Sequence, residues 1–322
     1  MPEITDSNLK KVFSTNKLLQ KTEVPFVANF KNYGGLRTKG WTKTSQPGLP
    51  LITIVTVVRN DVTHLERTML SVLNQTYPNV EYIVVDGAST DGTLEVIKRY
   101  AEHLDFWVSE SDKGSHEAIN KGIDLMKGDW VNFMHSGDYF YENETFEKIF
   151  LKNKIEADVV YGDCIGLVSP TESAIFKSDQ TTDRFWQGQV FCQEAVFVKT
   201  HLVRQNPFST DYRVSSDYNF FMDCLLGGAK FQKVDVIVFT VGTLGVSDRH
   251  WLRARFENWK IARRFNKPII TDLFHLKGIV YDITFRIFKG TLGRLHLYEP
   301  LKNLYRKTIK GFLTRNSTMK RL

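Results

Sequence analysis

The chain has no uncharged stretch approaching the ~20 apolar residues that a membrane-crossing helix needs. Its opening, MPEITDSNLKKVF, places acids ahead of lysines and has no apolar core, so a secretory leader is not expected. Cysteine is scarce. Cys164, Cys192 and Cys224 are widely spaced and odd in number, which excludes a disulfide framework and points to a reducing, cytoplasmic compartment. No G-x-G-x-x-G follows the first apolar strand, and no G-x-x-x-x-G-K-[ST] occurs, which disfavours dinucleotide-binding and P-loop sites. Internal repeats and low-complexity tracts are also missing.

What is present is core-forming material: 42% hydrophobic and 13% aromatic residues in 322, enough for one large α/β domain or two smaller ones. The formal charge of +7 is uneven. Residues 251–322 carry 17 Lys/Arg against 4 Asp/Glu, leaving the preceding 250 net negative. That polarity predicts a catalytic body with a basic tail; no nucleic-acid-binding module accompanies the charge, so no nucleic-acid partner is expected.

Residues 1–50 read as an N-terminal extension and linker, with NYGGLRTKGW and SQPGLP as loops. From Leu51 the texture changes. LITIVTVV is a β-branched run of the kind buried on both faces of a sheet. A helix with Leu65, Met69 and Val72 on one face follows, then the strand VEYIVVD, a helix, the strand LDFWVSE, the helix SHEAINKGIDLMK and the strand GDWVNFMHS. This alternation predicts an α/β fold with a doubly wound, mostly parallel sheet. After about residue 153 it loosens into ADVVYGD, AIFKS and QEAVFVK strands, the helix SDYNFFMDCLLGG and the strand AKFQKVDVIVFTVG. The body is expected to span 51–248, and a basic amphipathic helical tail 249–322.

Ligands of open α/β sheets sit at the carboxyl ends of the strands. Four strands deliver polar groups there: Arg59 and Asn60; Asp86, Ser89 and Asp91; Glu110, Asp112 and Lys113; and Asp138. Each has a bland reading. Asp86-Gly87 and Asp91-Gly92 are good turn formers, Asp112-Lys113-Gly114 reads as a solvated turn, and Asp138 could cap a helix. Convergence on one edge favours a site. Acids after the second and fourth strands suit a base or ribose together with a hard divalent cation holding phosphates.

The segments ITIVTVVRN, SVLNQTYPNVEYIVVDGASTDGT, SESDKGSHEAINKGI and GDWVNFMHSGDYF, in this order and spacing, resemble the family 2 glycosyltransferases of the GT-A fold. FCQEAVFV and SSDYNFF extend the resemblance over about residues 50–245, and it is nearest to bacterial enzymes of capsule, O-antigen or colanic-acid-like surface polysaccharide assembly. The resemblance implies a nucleoside-diphosphate sugar donor, a UDP-sugar first, and a glycan or lipid-linked oligosaccharide acceptor. It places Thr56 and Asp86 beside the nucleobase, with Arg59 grouped at the same strand ends. Asp112, Lys113, Asn120 and Lys121 match a DKG…NKG signature lining the nucleotide and diphosphate. Asp138 matches the last acid of a D-x-D-type motif that binds Mn²⁺ or Mg²⁺, and Asp217 the catalytic base of an inverting displacement. Gly87 and Gly137, which stand where many members carry a further acid, and His135, His116-Glu117 and Cys192 depart from the family pattern.

Alternatives remain at this stage. Asp217 also suits a helix cap, Lys113 and Lys121 suit solvated positions, and Gln193 and Glu194 suit either sugar contact or a strand-edge polar pair. A sugar-phosphate nucleotidyltransferase shares the fold type, although VVRNDVTH lacks the glycine-rich loop it would need. An inactive nucleotide-sugar-binding scaffold also fits a metal motif reduced to one acid. In the tail, Leu252, Phe256, Trp259 and Ala262, and then Leu273, Leu276, Val280, Ile283 and Ile287, lie at helical spacing among Arg253, Arg255, Lys260, Arg263 and Arg264. Packed helices with a side facing an anionic membrane are expected, and with them a peripheral location on the inner face of the cytoplasmic membrane.

Overall fold

The computed structural model describes residues 18–22, 29–169, 172–241, 250–265 and 267–294, and for 167–169, 172–173 and 289–294 the backbone alone. The opening MPEITDSNLKKVF, the boundary expected at 248/249 and the last part of the basic tail lie outside the described residues.

In chain order the elements begin with three short strands, β1 (Gln20–Lys21), β2 (Tyr33–Gly34) and β3 (Trp41–Thr42). The alternating segment follows: β4 (Ile52–Val58), α1 (Leu65–Leu73), β5 (Val80–Asp86), α2 (Thr93–Arg99), β6 (Phe106–Ser109), α3 (Ser115–Leu125) and β7 (Trp130–His135). Then come β8 (Tyr139–Phe140), α4 (Thr145–Phe150), β9 (Val159–Ser169), β10 (Glu172–Phe176), β11 (Val196–Lys199) and α5 (Thr200–Gln205). The last elements are α6 (Ser216–Leu226), β12 (Phe231–Val241), α7 (Trp251–Ala262) and α8 (Pro268–Arg294).

Strand β4 is buried at every position, as a β-branched run between two helical layers must be. It pairs in parallel with β5 on one side and β7 on the other, and β6 continues in parallel beyond β5. The ten-stranded sheet runs β2-β6-β5-β4-β7-β11-β9-β12-β8, with β10 paired to β9. Its central strands are parallel, as the alternation predicts. Beyond β7 the sheet is mixed: β11 is antiparallel to both neighbours, and β12 is parallel to β9. Because β5 and β7 flank β4 on opposite sides, the chain reverses its winding there, and a crevice opens at the carboxyl ends of β4 and β7.

Both faces of the sheet are covered. Ile52, Ile54 and Val58 pack with Leu65 and Met69 of α1, while Val55 and Val57 pack with Ile119 and Ile123 of α3. Gly122 lets α3 approach, since a Cβ there would overlap Val55. The glycine of the NKG signature is therefore a packing requirement.

Residues 29–50, read as loop and linker, are bound to the body. Strand β2 pairs with β6, and Arg37 is buried beneath the sheet in an ion pair with Glu81 while donating to Leu125 O at 2.6 Å. Lys43 pairs with buried Asp105 at 2.9 Å. The amino-terminal edge of the sheet is thus closed by charge pairs that the hydrophobic pattern does not announce.

Helix α7 is also part of the body, with Ile261 and Ala262 fully buried. Its cations are engaged internally: Arg253 pairs with Glu257, Arg255 with Asp282, Arg263 with Asp272 and Arg264 with Asp223, and Lys260 lies over the Tyr212 ring.

Removing one member of a buried ion pair strands the other. Arg37→Ala should lower unfolding stability by roughly 3 kcal/mol or more in urea titrations, whereas Lys39→Ala, which breaks the exposed pair with Glu102, should change it by less than about 1 kcal/mol. Equal effects would show that the Glu81 carboxylate is adequately held by its other partners.

Candidate active site

The register places Val58, Asp86 and Ser109 side by side at the carboxyl edge, with His135 opposite Val57. The edge extends one residue further: Gly87 N donates to Val58 O, Glu110 N to Asp86 O and Ser136 N to Val57 O, at 2.9, 3.0 and 3.2 Å. Every loop after a central strand therefore leaves the sheet at the same height.

Asp86 is fully buried and organises two of these loops. Its carboxylate accepts from Ser89 N at 3.0 Å, from the Ser89 hydroxyl, and from Ser109 Oγ at 2.6 Å. Ser89 Oγ in turn accepts from Asn60 N at 2.7 Å, and Asn60 Oδ1 accepts from Thr90 N at 2.9 Å. These bonds hold Asn60 and Ala88 at φ of 52° and 56°. Left-handed backbone at a residue with a Cβ costs roughly 1 kcal/mol or more and persists only where surrounding contacts fix it. Asp91 completes the latch by accepting from the hydroxyl and N–H of Thr93 and from Val62 N; the Thr93 hydroxyl is the main reason its carboxyl lies below the usual range.

Two of the expected residues, Arg59 and Asp112, converge at Gly87. A Cβ built there would lie 2.5 Å from Asp112 Oδ2 and 3.3 Å from Arg59 Cβ. The carboxylate of Asp112 thus stands in the space that a side chain at 87 would take. Its other oxygen accepts from Gly114 N at 2.9 Å, and Lys113 N donates to Glu117 Oε2 at 2.6 Å, fixing the entry to α3. Lys113 itself is exposed, and Lys121 pairs with Glu110 at 2.5 Å.

Two expected residues are placed differently from a ligand-lining rim. Thr56 is wholly enclosed, its hydroxyl paired with Tyr82 Oη at 3.0 Å, so it belongs to the floor. Asn120 exchanges two hydrogen bonds with the backbone of Phe208, both 2.9 Å, and ties α3 to the segment before α6. Periodicity and motif spacing cannot distinguish an amide that meets a ligand from one that meets a distant backbone.

Asp138 follows β7 after Gly137, whose φ of +99° makes the turn. Buried Thr68 of α1 fixes this turn: its hydroxyl accepts from Gly137 N at 3.0 Å and donates to Asp138 O at 2.8 Å. Among the described residues no group of three or more His, Cys, Asp or Glu is arranged to hold a metal. The donor set here is one half-buried carboxylate at the mouth of the crevice. That fits the mode in which Mg²⁺ or Mn²⁺ is bound by one or two carboxylates together with substrate phosphates and water, not an all-protein cage.

A second cluster faces the crevice from the mixed half of the sheet. Asp217 lies in the first turn of α6, and burial pushes its carboxyl up to about 6, with the charge of Glu194 adding to the rise. Gln189 stands close enough to favour the ionised form, although its amide nitrogen makes no well-formed hydrogen bond. Glu194 accepts from Gln193 Nε2 at 2.9 Å and Cys192 Sγ at 3.0 Å, and Asn132 of β7 holds its backbone carbonyl at 2.7 Å. Burial lowers the His135 imidazole pKa against the opposing influence of Glu194, and His116 is lowered by burial and then by His135. Glu194, His135 and Gln189 join Asp217 only through the folding of distant segments. His135 and His116, two departures from the family pattern, are half-buried close enough to influence each other.

Helix α7 positions this cluster. Glu257 accepts from the backbone N–H groups of Arg213, Val214 and Ser215 at 2.9–3.1 Å, just ahead of α6. Burial alone would raise the Glu257 carboxyl, but Arg253 and these three donors outweigh it and hold the group below its usual range.

The model of the family described as "Glycosyl transferase family 2" matches residues 53–198, the segment that builds the crevice. A PGL/p-HBAD biosynthesis glycosyltransferase of Mycobacterium bovis is 30% identical over 183 residues, 54% of this chain and 70% of that protein. The chain belongs to glycosyl transferase family 2. An uncharacterized glycosyltransferase of Haemophilus influenzae is likewise 30% identical, over 55% of this chain and 72% of its own. Solved structures share the GT-A-type fold of this glycosyltransferase. S. aureus TarS 1–349 in complex with UDP-GlcNAc has a TM-score of 0.54 at 17% identity, covering 70% of each chain. The mannosyltransferase PcManGT from Pyrobaculum calidifontis, in complex with GDP-Man and Mn²⁺, has a TM-score of 0.53 at 18% identity, covering 84% of this chain and 76% of its own.

The raised carboxyl of Asp217 makes a thermodynamic prediction independent of turnover. A group that binds its proton more tightly when folded favours folding below its unfolded pKa and loses that contribution as pH rises through the folded one. Replacing it by an uncharged isostere removes the loss. The melting temperature of Asp217→Asn relative to the parent should therefore increase from about pH 4 to about pH 7. A difference independent of pH would mean that the carboxyl is not shifted.

Proposed function

We propose that this glycosyltransferase transfers a sugar with inversion from a nucleoside-diphosphate donor, a UDP-sugar first among them, to a hydroxyl of a lipid-linked glycan in surface-polysaccharide assembly. The observation that carries the reading is Asp217: a half-buried carboxyl in the first turn of α6, raised to about 6 by burial and by the charge of Glu194, while Arg59 and Asp112 meet at Gly87 on the edge of the parallel strands. The neighbours' complexes with UDP-GlcNAc and GDP-Man support a nucleotide-sugar donor.

In this mechanism the nucleotide lies along the latched loops after β4, β5 and β6, on a support made rigid by Asp86, Ser89 and Ser109. Arg59 and Lys121 add positive charge along the path of the diphosphate. Asp138 would hold a divalent cation, Mn²⁺ or Mg²⁺, which when bound neutralises charge on the leaving diphosphate; PcManGT's complex with Mn²⁺ supports this. Asp217 takes the proton of the acceptor hydroxyl as its oxygen bonds to the anomeric carbon, and the anomeric C–O bond breaks with its electron pair leaving on the nucleoside diphosphate. A carboxylate with a pKa near 6 is largely ionised at neutral pH yet more basic than an ordinary one, which suits a general base. Gln193 and Glu194, on the turn before β11, would orient the sugars.

A panel of nucleotide sugars assayed by thermal shift and by transfer tests the reading. Asp217→Asn should keep the donor-induced stabilisation and lose about 10²-fold or more in turnover, and the parent's acid limb in kcat/KM should fall near pH 6. Near-parental turnover would return Asp217 to the role of a helix-terminal residue. Asp138→Ala should keep its fold and lose the part of the UDP-induced melting shift that depends on Mn²⁺; an unchanged Mn²⁺-dependent shift would place the cation elsewhere.

A further inference from the structure

Helix α8 is turned inside out for a helix on a protein surface. The side it lays on the body is polar: Thr271 and His275 are buried, His275 Nε2 lies 3.1 Å from Trp186 O, and among the side chains described Ile279 is the one apolar member of the buried stripe. Its two acids also turn inward. Asp272 accepts from Trp259 Nε1 at 2.7 Å and pairs with Arg263, and Asp282 pairs with Arg255 at 2.7 Å. The outward side is aliphatic. Ile269, Leu273, Leu276, Val280, Ile283 and Ile287 recur at alternating spacings of four and three, and three of them, Ile269, Leu273 and Ile287, are 75%, 64% and 65% exposed. Phe274, Tyr281, Phe285 and Phe288 widen this face, each at least 40% exposed.

We infer that this face of α8 docks on an anionic phospholipid bilayer, with the helix lying in the plane of the interface. Three observations select a bilayer. No described helix is long and apolar enough to cross a membrane, which leaves burial at the surface, about 5–10 Å deep for helices of this kind. The face is wider than the two-position seam that a second helix covers, because exposed aromatics flank the aliphatic stripe. Its charge complements an anionic leaflet: both acids of the helix are held inward and Arg286 lies over the Trp251 ring of α7, while Lys277 is exposed beside the aliphatic stripe. The cations of α7 are not part of this surface, since Arg255, Arg263 and Arg264 hold the helices and the body together.

The docking face adjoins the acceptor side of the crevice. Phe274 packs edge-on against Trp186 with ring centroids 5.5 Å apart, and three residues further along that loop Gln189 approaches Asp217. Resting on the proposed transfer to a lipid-linked acceptor, this placement brings the catalytic carboxyl to the membrane surface where such an acceptor is held.

The test is flotation of the full chain with phosphatidylglycerol-containing vesicles and with pure phosphatidylcholine vesicles, at low and high salt. The parent should bind the anionic vesicles, bind them less at high salt, and bind the neutral ones weakly. A triple variant Leu273→Glu, Val280→Glu, Ile287→Glu should lose about tenfold or more in partitioning while keeping its melting temperature and the shift induced by UDP. Lys277→Glu alone, which leaves the apolar face intact, should weaken anionic binding only. Equal partitioning of parent and triple variant would overturn the inference. So would a lipid-free parent dimer that the triple variant dissociates, because the face would then belong to a second copy. Vesicle binding needs neither donor nor acceptor. A parent that binds UDP but no anionic vesicle refutes docking alone, and a parent that binds anionic vesicles but shows no donor-induced shift refutes the catalytic reading.

Discussion

Strand β4 constrains the rest of this molecule. It is buried on both faces and paired in parallel on both edges, so it offers no polar side chain to solvent until its last residue has passed. Chemistry is thereby displaced to Arg59 and Asn60, and the parallel register brings Asp86, Ser109 and His135 to the same height. The crevice is a consequence of winding direction. β5 and β7 leave β4 on opposite sides, and their following loops part at its carboxyl end.

Acidic residues divide between the two ends of the sheet according to what satisfies them. At the amino-terminal edge Glu81 and Asp105 are enclosed by Arg37, Lys43 and backbone donors, and their charges are neutralised where water is excluded. At the carboxyl edge Asp86 is equally buried but is satisfied by hydroxyls and a backbone N–H, which rigidifies the loops without a cation. Asp112, Asp138 and Asp217 are half-buried, which is where a carboxylate can still meet a ligand.

The carboxyl-terminal helices brace the helix that carries Asp217. Glu257 of α7 secures the three backbone donors ahead of Asp217, and Arg264 holds α6 through Asn219 and Asp223. Helix α8 is fastened to α7 by Asp272 and Asp282 and presents the remaining apolar surface outward. A segment that reads by composition as a basic appendage is thus the support of the acid-bearing helix.

The sequence by itself determined the alternating core, the sheet edge that carries the site and the family, because buried β-branched runs and short glycine-bearing loops leave local, periodic traces. The family resemblance carried by DKG, GDYF and SSDYNFF is what singled out Asp112, Asp138 and Asp217 together. Only the tertiary structure decided which polar groups are available to a ligand. Thr56 is closed off by Tyr82 and Asn120 by the backbone of Phe208, contacts between residues far apart in sequence that no local pattern encodes. The same holds for the rise of Asp217, which depends on burial beside Glu194, and for the direction of α8. Helical spacing shows that a helix has an apolar stripe, but whether that stripe faces the core or the outside depends on the salt bridges that orient it, and here Asp272 and Asp282 turn the polar side inward.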